Sequence, residues 1–356
     1  MTSTVRKVYA MSDKAGSGET LRLVHRQQDS NRAEMVFKRR QELRLTFPSG
    51  NSAYREMEKI AIASILRNEN RIPYHCPGVD VAEFVEWFKR RHPELFWIAN
   101  SYSIQSFSFG KPLSIIIETV DQISDRQKYD EIVRRSVEEI VVASNRRSSI
   151  FDKLKYVYDW FCQHYTYSNT KLHHDYTVVG VFRDHRAVCS GLSKAFMLVC
   201  MKMDIPCGII SGNTTIEPEI THAWNAVKIN GAIYHIDVTA GINFYESYHQ
   251  IGYPFFLLPE SEIKLSRYIQ TPTMMRESTE YKYTKRMRQC FDTSAEMSRW
   301  FANHHGIATI GGNPSSWRSN QEFQDEVRRC LQRQLGAKTI TTVPYGHYCT
   351  IVDLVR

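Results

Sequence analysis

Thr221-His222-Ala223-Trp224-Asn225-Ala226-Val227-Lys228-Ile229-Asn230-Gly231-Ala232-Ile233-Tyr234-His235-Ile236-Asp237-Val238-Thr239 is the stretch on which the reading of this chain turns. At its centre Asn230-Gly231 is the strongest short hairpin signal, a two-residue type I′ turn whose residues both take positive φ. That turn sets Ile229 against Ala232, Trp224 against Asp237 and His222 against Thr239. Side chains alternate along a strand, so His222, Trp224, Asp237 and Thr239 share one face. Val227, Ile229, Tyr234, Ile236 and Val238 form the other, an apolar face suited to a core. His222 and Asp237 become diagonal neighbours, roughly 7–8 Å apart at the backbone. Their side chains can close that gap with a hydrogen bond.

A carboxylate on a histidine fixes the imidazole tautomer and stabilises the imidazolium, which is two-thirds of a nucleophilic triad. The matching nucleophile lies upstream, in Ala187-Val188-Cys189-Ser190-Gly191-Leu192-Ser193-Lys194-Ala195-Phe196. A polar loop precedes it and an apolar-periodic helix, about 188–203, follows, so Cys189 belongs in the first helical turn. Unpaired backbone N–H groups and the helix dipole favour a thiolate there. Gly191 lets the helix pack closely against a facing strand. If that helix crosses the hairpin face, Cys189, His222 and Asp237 make a Cys-His-Asp set. Taken singly, Cys189 reads equally as a buried thiol and His222-Asp237 as a structural pair.

The blocks Val188-Cys189-Ser190-Gly191, His222-Ala223-Trp224-Asn225-Ala226-Val227 and Tyr234-His235-Ile236-Asp237-Val238-Thr239 together resemble the transglutaminase-like core of the papain-like cysteine-enzyme superfamily. The preceding helix with Tyr156 and Tyr158, its Tyr165-Thr166-Tyr167 end and Ile205-Pro206 are similar too, so the resemblance spans about residues 148–245. His92-Pro93-Glu94-Leu95-Phe96-Trp97 is weakly similar to a segment found upstream of bacterial cores of this type. The resemblance implies an α+β fold, a Cys-bearing helix packed on an antiparallel sheet that carries His and Asp. It implies acyl transfer: Cys189 attacks an amide carbonyl, and its backbone N–H is one oxyanion donor. Gln163, Tyr165 and Tyr167 are candidates for the second donor, and Trp224 for a wall that limits water. The expected function is a cysteine protease or amidase on protein or peptide substrates. The alternatives are a transglutaminase-type acyltransferase or deamidase acting on glutamine, and a non-catalytic interaction scaffold.

At 356 residues the chain needs more than one core. Hydrophobic residues at 42% exclude wholesale disorder. No run of about 20 apolar residues can span a bilayer, and the first 30 residues hold no signal-peptide core, so a cytoplasmic protein without a membrane partner is expected. The net charge of +8 is spread over short clusters such as Lys38-Arg39-Arg40 and Lys89-Arg90-Arg91, so nucleic acid is not expected as a partner. Eight cysteines without a CxxC pair suit reduced thiols and exclude a thiolate zinc site. No cofactor and no metal are expected. His173-His174-Asp175 lacks a third ligand at helical or hairpin spacing, His185 reads as a loop residue, and Gly311-Gly312-Asn313 lacks the context of a phosphate loop.

The chain divides into an N-terminal α+β extension at 1–145, the core at 146–260 and a C-terminal α+β segment at 261–356. In the first, Asp80 caps a helix ended by Pro93, and two strands meet at Gly110-Lys111. In the last, 261–290 reads as a connector and Thr293…Glu296 as a capping box.

Overall fold

The computed structural model of the chain describes residues 6–10, 52–106, 112–215, 218–269, 276–304, 308–313, 315–335, 340–345 and 348–353. Helix α1 (Ser52–Leu66) buries Tyr54, Met57, Ala61, Ile62 and Ile65, a stripe at helical spacing. Helix α2 (Val81–Arg91) starts where the Asp80 carboxylate accepts the Glu83 N–H at 2.8 Å and stops at His92, before Pro93. Both pack on a four-stranded sheet of β1 (Arg6–Ala10), β2 (Arg71–Pro73), β3 (Ile98–Ser106) and β4 (Pro112–Thr119), in the order β1-β3-β4-β2. The expected strand pair is β3 with β4, antiparallel, and its turn at Gly110-Lys111 lies outside the described residues.

The middle of the chain is helical first. Helices α3 (Ile123–Ser144) and α4 (Ile150–His164) lead to the short parallel pair β5 (Thr166–Tyr167) and β6 (Arg186–Ala187). Between those strands lie a 3₁₀ turn (His173–Tyr176) and α5 (Val178–Asp184); α6 (Cys189–Lys202) follows β6 directly. Then come β7 (Cys207–Thr214), β8 (Thr221–Ile229), β9 (Ala232–Ile236), helix α7 (Val238–Tyr248), β10 (Phe256–Leu258), helix α8 (Glu260–Ile263) and β11 (Arg267–Ile269). The five strands form one antiparallel sheet, β10-β9-β8-β7-β11.

The hairpin register is the one the turn dictates. Asn225 pairs with Ile236, Val227 with Tyr234 and Ile229 with Ala232, and Asn230 and Gly231 have φ of 50° and 80°. Val227, Ile229, Tyr234 and Ile236 join Leu192, Ala195, Phe196 and Val199 of α6 and Leu154, Tyr158 and Phe161 of α4 in the largest core cluster. The opposite face is buried as well, with Ile210, Trp224, Ala226, Ile233, Phe255 and Leu258 in a second cluster. A sheet covered on both sides is held far more rigidly than one with a wet face, and it carries the candidate site at one end.

One expectation of the sequence is corrected here. The second hairpin strand stops at Ile236, not Thr239, and Asp237 becomes the N-cap of α7, its carboxylate accepting the Ala240 N–H at 3.1 Å. Helix capping by Asp overrides the β-propensity of the following Val238-Thr239 pair.

Helix α9 (Tyr283–Arg286), β12 (Cys290–Phe291), α10 (Ser294–Asn303), β13 (Ala308–Gly312), α11 (Asn320–Leu335), β14 (Ile340–Tyr345) and β15 (Tyr348–Asp353) complete the described chain. The capping box at Thr293 and Glu296 is present with both of its bonds. These strands make a separate sheet, β12-β13-β15-β14, and do not extend the central one. Packing crosses the sequence divisions at 145 and 260. Val133, Val137 and Ile140 of α3 belong to the central core cluster, and β11 completes the central sheet. Among the described residues no helix is long and apolar enough to cross a membrane, and no cluster of His, Cys, Asp and Glu is arranged to hold a metal ion.

Candidate active site

Cys189 is the first residue of α6, and its approach is fixed on every side by backbone hydrogen bonds. The Val188 N–H donates to Asp175 O at 2.9 Å and the Ser168 N–H to Ala187 O at 3.0 Å. Asp175 in turn is held by Thr170 Oγ1 at 2.6 Å and the Leu172 N–H at 2.8 Å. No side chain caps the helix at Val188, so its first-turn N–H groups are not taken up by a capping side chain. Gly191 packs against the 3₁₀ turn and the end of β6: a Cβ there would lie 2.4 Å from Asp175 O and 2.9 Å from Ala187 Cβ. Only glycine allows the helix start to seat this deeply.

At the end of β8, His222 turns its Nε2 to Asp237 Oδ2 at 2.8 Å, and the rest of its ring meets Cys189. The carboxylate is entirely buried, while the imidazole keeps 13% of its side-chain surface. With Nε2–H donated to Asp237, Nδ1 is the nitrogen left for the sulfur. Burial disfavours the imidazolium, but the charge and hydrogen bond of Asp237, together with Cys189 beside the ring, outweigh it and push His222 up to about 10. Burial by itself would raise Asp237; the charges and hydrogen bonds of His222 and Arg267 overcome that and hold it well below the usual carboxylate range. The three named triad residues therefore stand together.

The other candidates separate. Tyr167 is half-buried beside Cys189, whose backbone N–H points at the Tyr167 hydroxyl oxygen. Burial is the main cause that pushes this phenol up to about 12, with the nearby Cys189, Tyr176 and Asp237 adding to it. Gln163 is exposed at the end of α4, and Tyr165 is buried against Phe161, Phe182 and His185. Trp224 lies against the imidazole of the site. It is wholly buried, its ring stacks on His222 at 5.9 Å, and its Nε1 donates to Nδ1 of the buried His235 at 3.0 Å. His173 and His174 bind Phe96 O and Asp121 rather than each other, tying the loop before Cys189 to the N-terminal sheet region. His185 is the left-handed C-cap of α5.

Sequence reasoning missed Arg267. Its guanidinium donates to Asp237 Oδ2 at 2.9 Å from the short edge strand β11. No motif announces it, because the Ser-Arg-Tyr-Ile stretch is brought to Asp237 by sheet pairing and not by spacing. All eight cysteines are free; six are buried, and Cys189 and Cys290 are partly exposed. Burial pushes the Cys290 thiol up, as it does those of Cys162 and Cys200.

A Cys at a helix start, a His on a strand and a buried Asp beside it have the arrangement that a nucleophilic triad requires. Residues 136–238 match the family model of the transglutaminase-like superfamily, so the chain carries a domain of that superfamily there. Among curated proteins none matches the chain significantly. Two solved structures are similar over part of it. One, described as a TGase, is 16% identical with a TM-score of 0.30, covering 43% of this chain and 48% of the other. The second, a candidate cysteine protease from Cytophaga hutchinsonii, is 14% identical with a TM-score of 0.30, covering 40% and 43%. The chain spans less than half the length of either.

Proposed function

We propose that the protein is a cysteine hydrolase of protein or peptide amides, acting through Cys189, His222 and Asp237. The observation that carries this reading is His222 held between a buried carboxylate and a sulfur at a helix start. Cys189 Sγ attacks the amide carbon while Nδ1 of His222 holds the thiol proton. Negative charge builds on the carbonyl oxygen, where the Tyr167 O–H donates together with the Cys189 backbone N–H, which turns from the Tyr167 hydroxyl to the substrate oxygen. Collapse of that intermediate breaks the C–N bond, and Nδ1 gives its proton to the leaving nitrogen. Water then attacks the thioester, passes one proton to Nδ1, and the acid leaves as Sγ recovers it. Hydrolysis is favoured over amine transfer because Cys189 is partly exposed and so open to water.

The reading is tested by incubating the full chain with a glutamine-containing peptide library and looking for an acyl adduct by mass spectrometry. The adduct is expected on Cys189, absent in Cys189→Ala, and resolved by water and not by a labelled amine. Absence of any adduct on the wild-type chain rejects the enzyme; amine incorporation into the products would reassign it to acyl transfer.

Tyr167→Phe is expected to lower kcat by about 10²-fold with little change in KM, the loss typical of one oxyanion donor. The hydroxyl is the only group removed, so equal turnover in this variant would take Tyr167 out of the reaction.

A further inference from the structure

Asp237 is more completely held than a simple His-Asp pair requires. Its Oδ1 accepts the Ala240 N–H at 3.1 Å, its own N–H donates to Phe255 O at 2.9 Å, and Oδ2 receives two donors at once. These are His222 Nε2 at 2.8 Å and Arg267 Nη2 at 2.9 Å. Arg267 is itself buried at 8% exposure, its guanidinium stacked 4.2 Å from the centroid of the Phe255 ring and its Nη1 on Ser266 O at 3.0 Å. A buried Arg needs a counter-charge, and Asp237 is the carboxylate it has hold of.

The backbone is arranged to bring this arginine in. Strand β11 pairs with β7, Ile269 opposite Gly212, and Gly212 lies opposite His222 on β8. A Cβ on Gly212 would stand 1.9 Å from Tyr268 O and 2.8 Å from Trp224 Cη2, so the close seating of β11 depends on that glycine. Arg267 also lies well beyond residue 238, where the superfamily match ends.

From this geometry we infer that Arg267 is a positioning residue of the site: it fixes the Asp237 carboxylate toward His222 and offsets part of its charge. The inference rests on the cysteine-enzyme reading above. A carboxylate with a single partner can rotate about its last bond, whereas one clamped by a planar guanidinium, a backbone N–H and an imidazole cannot. The offset matters for chemistry too. An imidazolium held by an uncompensated buried carboxylate is a poor acid for the leaving nitrogen, and a neighbouring cation on the same oxygen restrains that. The catalytic apparatus therefore includes the strand after the core motif, and a fragment ending near residue 238 lacks one of its parts.

The test uses iodoacetamide on the full-length chain, with the alkylation rate of each cysteine followed by mass spectrometry. In the wild type, Cys189 is expected to react fastest. Arg267→Met is expected to slow Cys189 about tenfold, the loss expected for an outer partner of a site residue, while Cys290 and the buried thiols keep their rates. Arg267→Lys keeps the charge and one donor but loses the planar stack on Phe255, and is expected to fall between wild type and Arg267→Met. The downfield N–H resonance of the His222–Asp237 bond should weaken in Arg267→Met and persist in Arg267→Lys. If all thiols speed up together in both variants, Arg267 is a stability residue and the inference fails. It fails equally if Cys189 reacts in Arg267→Met as in wild type. A wild-type chain whose Cys189 is no faster than Cys290 instead overturns the enzyme reading itself.

Discussion

Asp237→Asn is expected to lower kcat on any peptide that acylates Cys189 by about 10⁴-fold, through loss of the imidazole tautomer and of imidazolium stabilisation. It should also cost about 3–5 kcal/mol of stability, because the buried Arg267 is left without its counter-charge. The two effects have separate causes and come apart in a double variant. Asn keeps an oxygen for the Ala240 N–H, so the start of α7 survives. Asp237→Asn with Arg267→Met removes the orphaned cation and should recover most of the stability but none of the turnover. The pH dependence of stability gives a further check. The carboxyl of Asp237 is held below its ordinary value in the folded chain, so its stabilisation is present above about pH 4, the unfolded value. It is lost as pH falls toward the lower folded value. Denaturant midpoints of wild type should therefore drop on acidification below pH 4, with a shallower drop in Asp237→Asn. Turnover within tenfold of wild type in Asp237→Asn would remove Asp237 from the reaction.

The parts of this site legible in the sequence are those fixed by local rules. Asn230-Gly231 sets the register as far as Asn225–Ile236 and so brings Asp237 to the end of β9 beside β8, where the start of α7 completes its bond to His222. Cys189 was legible because a polar loop giving way to apolar periodicity marks a helix start. The end of β9 was not, since Val-Thr after Asp reads as strand until the capping bond of Asp237 is seen. The setting of Trp224 is legible only in part. Alternation places it beside His222 but does not say that a second layer of residues, Phe255 and Leu258 among them, covers that face. Arg267 lies 30 positions from Asp237 and two strands away from His222 in the sheet order. Contacts made by pairing of distant strands leave no periodic trace. Gly212 shares that limit, because the close approach that requires it belongs to the assembled fold.

His222→Ala is expected to have the largest effect, a fall in acylation of Cys189 on the order of 10⁶-fold, as when the base of a catalytic unit is removed. Both proton transfers in the proposed cycle pass through Nδ1, so the loss should appear in kcat and not in KM. The pH dependence distinguishes a base from a packing residue. In the folded chain His222 is pushed up to about 10 from an ordinary value near 6.5, so its imidazolium persists across the neutral range. A raised group stabilises the fold fully below its unfolded value and loses that contribution as pH rises through the folded one. The stability advantage of wild type over His222→Ala should therefore be greatest below about pH 6.5 and shrink toward pH 10. Nitrogen chemical shifts of His222 should report a protonated ring at pH 8 in wild type. A neutral ring at pH 7 would contradict the ion pair with Asp237 and leave His222 to act only by abstracting the thiol proton during attack. Asp237→Asn is expected to bring this titration down toward the ordinary histidine range, because burial then acts with one opposing charge fewer. Hence the two variants test one arrangement from its two ends, the carboxylate that holds the imidazolium and the imidazole that moves the proton.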